Sequence, residues 1–114
     1  MDQRKQPVKR IFSYEEAAAL LPLVRQLTSD AVAKIEALAD QEPASDELPE
    51  SAAEYEGIVA RWAESVIELG IEVKGLWLVD FDSGSGYYCW KYPEAGLQFF
   101  HDYESGFGGR VQLT

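Results

Sequence analysis

Apolar residues recur with helical spacing up to Gly70 and with strand spacing after it. "FSYEEAAALLPLV" opens the first pattern. Ser13 and Glu16 stand at the spacing of a reciprocal cap, the hydroxyl reaching the amide three residues on and the carboxylate reaching back. Proline lacks an amide hydrogen and crowds the preceding turn. Pro22 therefore predicts a short helix over 14–20 and a fresh or kinked start with Pro22 as its first residue. That second helix runs to about Asp40, with the stripe Val24, Leu27, Ala31, Ile35 and Leu38. "DQEPASDELPE", with five acids and two prolines, is a loop. Ser51 and Glu54 repeat the cap spacing, and a helix over 52–69 follows with the stripe Ala52, Tyr55, Val59, Trp62, Val66 and Leu69. Gly70 stands where a helix ends in the left-handed region. Helices over 22–40 and 52–69 would be roughly 28 and 27 Å long at about 1.5 Å per residue. Matched lengths joined by one loop predict an antiparallel hairpin.

Beyond Gly70 the chain turns aromatic: ten of its fourteen aromatic residues lie between Trp77 and Phe107. "LWLVDF", "YYCWKY" and "LQFFHD" suit strands, and "DSGSG" and "PEAG" suit the turns between them. The prediction is a three-stranded antiparallel meander, extended by "IEV" before it or "VQL" after it. The expected fold class is α+β: a long helical hairpin preceded by a short helix, then a small meander. Residues 1–12 read as a basic arm, 13–70 as the helical part, and 71–114 as the meander with a glycine-rich end.

Turn lengths set which side chains meet. The expected register puts Phe81 opposite Tyr87, Asp80 opposite Tyr88 and Val79 opposite Cys89, with Tyr88 also opposite His101. Side chains alternate between faces, so Asp80, Tyr88, Trp90, Phe99 and His101 share one, and Cys89 points the other way. Asp80 and His101 would then stand roughly 9–10 Å apart, two strand spacings. Both faces would be rich in apolar groups, and a hairpin covers one. An uncovered face of that kind predicts a homodimer.

Charge narrows the partners. The net charge of −10 is uneven: residues 1–10 carry +3, which leaves −13 on the other 104. So acidic a body repels phosphate backbones, which excludes nucleic acid as the expected partner. No stretch is long and apolar enough to predict a membrane span, and the N-terminus lacks the apolar run of a secretory signal. One cysteine makes no internal disulfide, and the expected compartment is cytoplasmic.

"FSYEEAAALLPLVRQL", "GIEVKGLWLVDF", "YYCW" and "FFHDYESGFGGR" resemble a small bacterial family, domain of unknown function 2203. The resemblance implies a helical hairpin followed by a short β-rich segment, and no established activity. Two positions depart from the family's pattern: Asp82 where proline is common, and Phe100 before His101 where tryptophan is common.

The chemistry the chain can offer is limited. CxxC, HExxH, GxSxG and phosphate-loop patterns are absent, and "GSG" at 84–86 is a turn. His101, the sole histidine, is the candidate acid or base, with Asp80 or Asp102 to orient it and Tyr88 to donate a proton. Arg110 and the amides of "GFGGR" are candidates for holding an anion, and Trp90, Asp102 and Glu104 for lining a ligand site. Alternatively, His101 satisfies a carboxylate at a strand end and Arg110 clamps Asp102 or Glu104. Metal binding by His101, Asp102 and Glu104 is a weaker alternative, and the separation expected for Asp80 argues against its joining His101 on one ion. Cys89, in an apolar strand, is expected to be inert. No cofactor is identified. The leading expectation is a homodimeric module that binds a protein or small molecule; the alternative is a small enzyme, or a metal- or anion-binding protein, built around His101, Asp80, Tyr88 and Arg110.

Overall fold

The computed structural model describes residues 10–41 and 52–113. Two helices, α1 (Tyr14–Gln41) and α2 (Ala52–Glu68), precede five strands: β1 (Glu72–Gly75), β2 (Leu78–Asp82), β3 (Tyr87–Lys91), β4 (Phe99–His101) and β5 (Val111–Gln112). The strands form one antiparallel meander in sequence order, so both expected extensions are present. The fold is α+β, as the sequence pattern predicts. Most of the basic N-terminal arm, the acidic run at 42–50 and the Ser51 cap lie outside the described residues.

The first cap forms as its spacing requires. Ser13 Oγ accepts from the Glu16 amide at 3.0 Å, and Glu16 Oε1 accepts from the Ser13 amide at 2.9 Å. Pro22 does not restart the helix; the two expected pieces join into one. Its ring lies on the exposed face, opposite buried Leu21 and Val24, where water can satisfy the carbonyl that loses its partner. Ala17, Leu21, Val24, Thr28 and Ala31 of α1 meet Ile58, Trp62 and Val66 of α2. The Trp62 indole donates to Thr28 Oγ1 at 2.8 Å, joining the helices through their buried seam. Tyr55, expected in the stripe, is exposed, and Ile58 takes its place.

Gly70, at φ 88°, ends α2 as expected. Arg10 closes that end too, donating from its guanidinium to the Leu69 carbonyl at 3.1 Å. The expected arm thus joins the fold by Arg10. Phe12 is buried, meets Phe81 edge-on at 5.3 Å, and its amide donates to the Asp82 carbonyl at 2.7 Å.

Both expected registers are off by one. Asp82 pairs with Tyr87, Phe81 with Tyr88, Asp80 with Cys89, and Tyr87 with His101. At the first turn Asp82 remains in the ladder while its side chain closes the loop, Oδ1 accepting from the Gly84 amide at 2.9 Å. Ser83 and Gly86 complete a four-residue turn rather than the five-residue one expected. The second loop is longer than "PEAG", because Glu94 folds back to accept the Lys91 amide on Oε1 and the Trp90 indole on its carbonyl.

The slips have opposite consequences for the middle and outer strands. One slip turns β3 over; the second restores the parity between β2 and β4. Val79, Phe81, Tyr88, Trp90 and Phe100 therefore share the inner face toward the helices. Asp80, Asp82, Tyr87, Cys89, Phe99 and His101 share the outer face.

Candidate functional site

Three side chains meet on the outer face, one from each central strand. Asp80, Cys89 and His101 are all buried, beneath a segment that leaves β4 at Asp102 and returns through a 3-10 turn at Phe107–Gly109. Asp80 Oδ2 lies 3.0 Å from His101 Nε2, against the strand-to-strand separation expected from the sequence. Diagonal placement on a twisted sheet brings the side-chain tips together where the backbones stand apart. His101 Nδ1 lies 2.8 Å from the Asp102 carbonyl, which can only accept, so this nitrogen carries the hydrogen. Lys74, from β1, reaches the same Asp80 Oδ2 at 3.3 Å while resting over the Tyr87 ring. Asp80, Cys89, His101, Lys74, Leu78, Gly106 and Phe107 enclose a cavity of 230 Å3.

The other expected site residues fall elsewhere. Tyr88 and Trp90 are on the inner face; Tyr88 stacks edge-on with Tyr14 and Phe100, and Trp90 is fully buried core. Neither reaches His101, because β3 is turned over relative to the expected register. Asp102 is exposed and serves its own turn: it accepts from the amides of Glu104 and Ser105 and from the Ser105 hydroxyl. Those bonds, the Ser105 hydroxyl foremost, hold its carboxyl below the ordinary range. Glu104 is exposed as well. A site of His101, Asp102 and Glu104 is therefore not assembled: the His101 ring turns inward while both carboxylates belong to the outer turn.

Arg110 is committed to a structural clamp, but to Glu94 rather than Asp102 or Glu104. Two parallel bonds of 2.8 and 3.1 Å join guanidinium to carboxylate, and the cation lies against the rings of Phe99 and Phe107 at 3.9 and 4.2 Å. The clamp pins the returning segment over the cavity. The same guanidinium points at Cys89 Sγ from 3.8 Å. Of the "GFGGR" amides, those of Gly109 and Arg110 are taken by the Gly106 and Phe107 carbonyls.

Of the residues expected around His101, Asp80 meets it, while Tyr88 lies on the other face and Arg110 is paired with Glu94. Cys89, Lys74 and Phe107 belong to the cavity although the sequence reading left them out. A signal for Cys89 is present in the sequence: the observed register gathers Phe81, Tyr88, Trp90 and Phe100 on one face and leaves Cys89 with Asp80, Asp82 and His101 on the other.

Burial pushes the Cys89 thiol up to about 12, with the Asp80 charge adding to it and the Arg110 bond opposing. Because the thiolate is the reactive form, the native metal-free protein should react with Ellman's reagent at least about a hundredfold more slowly than the unfolded chain. Rates of the same order in both states would place the thiol in solvent.

A family model described as "Uncharacterized conserved protein (DUF2203)" matches residues 10–113. The chain belongs to the DUF2203 family. The match spans both helices, all five strands and the segment that closes the cavity. No curated protein and no solved structure matches the chain. For this DUF2203 chain, function has to be read from the site itself. Among the described residues no helix is long and apolar enough to cross a membrane.

Proposed function

We propose that this DUF2203 protein binds a small ligand in the cavity on its outer sheet face, where Asp80, Cys89 and His101 meet. One observation carries the reading. Asp80 Oδ1 is fully buried at the wall of that cavity, yet has no hydrogen-bond partner among the described residues. An unpaired buried carboxylate oxygen costs on the order of 1–3 kcal/mol, and such groups are kept where they serve a purpose. This reading takes up the binding-module expectation in altered form, with a small cavity holding a few polar groups in a largely apolar lining as its surface. The homodimer expectation rests on an uncovered apolar sheet face; the outer face carries Asp80, Asp82, Cys89 and His101 beside Tyr87 and Phe99, and the inner face is covered by the helices.

The single histidine makes the test direct. Imidazole-selective NMR gives one set of ring signals, here those of His101. Chlorides of divalent metals, inorganic phosphate, acetate and methylammonium are each titrated into the full-length protein. At least one class should shift the His101 signals saturably, with Nδ1 protonated throughout. Signals that none of the four classes moves would overturn the reading.

A further inference from the structure

Two hydrogen-bond acceptors face each other at the centre of this cavity. His101 Nδ1 keeps its hydrogen for the Asp102 carbonyl, so in the neutral ring Nε2 presents a bare lone pair. Opposite that lone pair, at 3.0 Å, is a carboxylate oxygen. Two acceptors do not bond. Something positive must stand between them, either a proton or a metal ion. The surroundings distinguish the two. A proton would satisfy Nε2 and Oδ2 and leave Oδ1 of the same carboxylate unpaired, as it is among the described residues. A metal ion draws in a third donor, and a third donor is present.

One ligand atom each from Asp80, Cys89 and His101 lies within 4.8 Å of the other two. Bonds of about 2.0–2.3 Å to a tetrahedral ion put ligand atoms roughly 3.3–3.8 Å apart, so the sulfur need close by no more than about 1.5 Å while Nε2 and Oδ2, now 3.0 Å apart, open slightly. The supporting contacts fit as well. An Nδ1–H bonded to a backbone carbonyl is the usual way a metal-bound imidazole is oriented, and the Arg110 guanidinium at 3.8 Å from Sγ can donate to a coordinated thiolate. Thiolate, imidazole and carboxylate together suit zinc and its thiophilic neighbours, not magnesium or calcium.

The geometry points to a three-ligand site for a divalent transition metal ion, zinc foremost, held by the Asp80 carboxylate, the Cys89 sulfur and His101 Nε2. On binding, the Cys89 S–H proton leaves to solvent as the metal–sulfur bond forms, and any proton on His101 Nε2 leaves as well. The Lys74 ammonium turns outward toward Glu72, which it already meets at 3.4 Å. The fourth position opens into the cavity, between Leu78 and Phe107, with room for water or a small anion. This site rests on the reading of the cavity as a ligand site and narrows it to one class.

Cobalt(II) is the probe, because its spectrum reports both the geometry and the sulfur. Full-length protein, stripped with a chelator and dialysed, is titrated with cobalt chloride and then with zinc chloride. The expected result is one ion per chain, the intense visible bands of tetrahedral cobalt, a near-ultraviolet sulfur-to-cobalt band, and displacement of cobalt by zinc. Cys89→Ser should abolish the sulfur band, and His101→Gln should weaken binding by more than the roughly ten- to hundredfold typical of supporting groups. Circular dichroism confirms that each variant is folded. Cobalt that binds without the sulfur band, or with equal affinity to both variants, overturns the three-ligand site. So does the absence of saturable heat with either ion in the unsubstituted protein. In that last case the phosphate, acetate and methylammonium titrations decide separately whether the cavity binds anything.

Discussion

Truncating Trp90 to alanine should remove about 3–5 kcal/mol of folding stability. The ring is fully buried at the centre of the inner sheet face. Its deletion loses apolar burial and leaves a cavity that strands on either side cannot close. It also frees the Glu94 carbonyl, which accepts the indole hydrogen at 2.9 Å. Glu94 is the residue whose carboxylate clamps Arg110 and caps the Lys91 amide, so the damage extends to the segment over the outer cavity. Domains of this size retain only about 5–15 kcal/mol in total, so the variant should sit close to its unfolding transition. Urea unfolding followed by far-ultraviolet circular dichroism measures the loss. A value below about 1.5 kcal/mol would mean that the ring is not a core anchor.

The second large effect falls on the outer face and is conditional on its partner. His101→Leu should cost the metal-free protein about 3 kcal/mol, because it strands a buried carboxylate. Among the described residues Asp80 then keeps only Lys74, whose side chain is 36% exposed and shared with Glu72. Adding Asp80→Asn removes the stranded charge, and the double variant should regain most of the loss. Breaking one half of a buried pair is far costlier than replacing both halves, and this cycle reads that asymmetry as a coupling. Losses that simply add in the double variant would show that the two side chains do not depend on each other.

The helical half of the fold is legible because helices are local. A cap is set by residues three apart, and Ser13 and Glu16 meet as their spacing says. Gly70 ends its helix for a reason contained in one residue's backbone freedom. Pro22 is less legible, since its cost depends on whether the freed carbonyl faces solvent, and that is a property of the assembled face. The sheet is less legible because register is a long-range quantity decided in the loops. Asp82 extends β2 by one pair only because its carboxylate bonds Gly84, and Glu94 lengthens the second loop only because two groups of β3 turn to it. That Asp80 and His101 share a side follows from the parity of two successive errors, which cancel between the outer strands. That Cys89 and not Tyr88 stands with them does not survive either error alone. The pairing of Arg110 with Glu94 joins positions 16 apart across two loops, and no local spacing announces it.

The three tryptophans and the single histidine end up on opposite sides of one sheet. Trp62 meets Trp77 edge-on at 4.8 Å, both pack on the core with Trp90, and the imidazole lies beyond the strands. Intrinsic indole emission therefore reports the seam between helices and sheet, while the ring resonances report the far side. A substitution that empties the cavity without loosening the molecule leaves the first signal in place and changes the second. The molecule thus carries two native probes, able to tell a lost binding centre from a lost fold in one sample without any label.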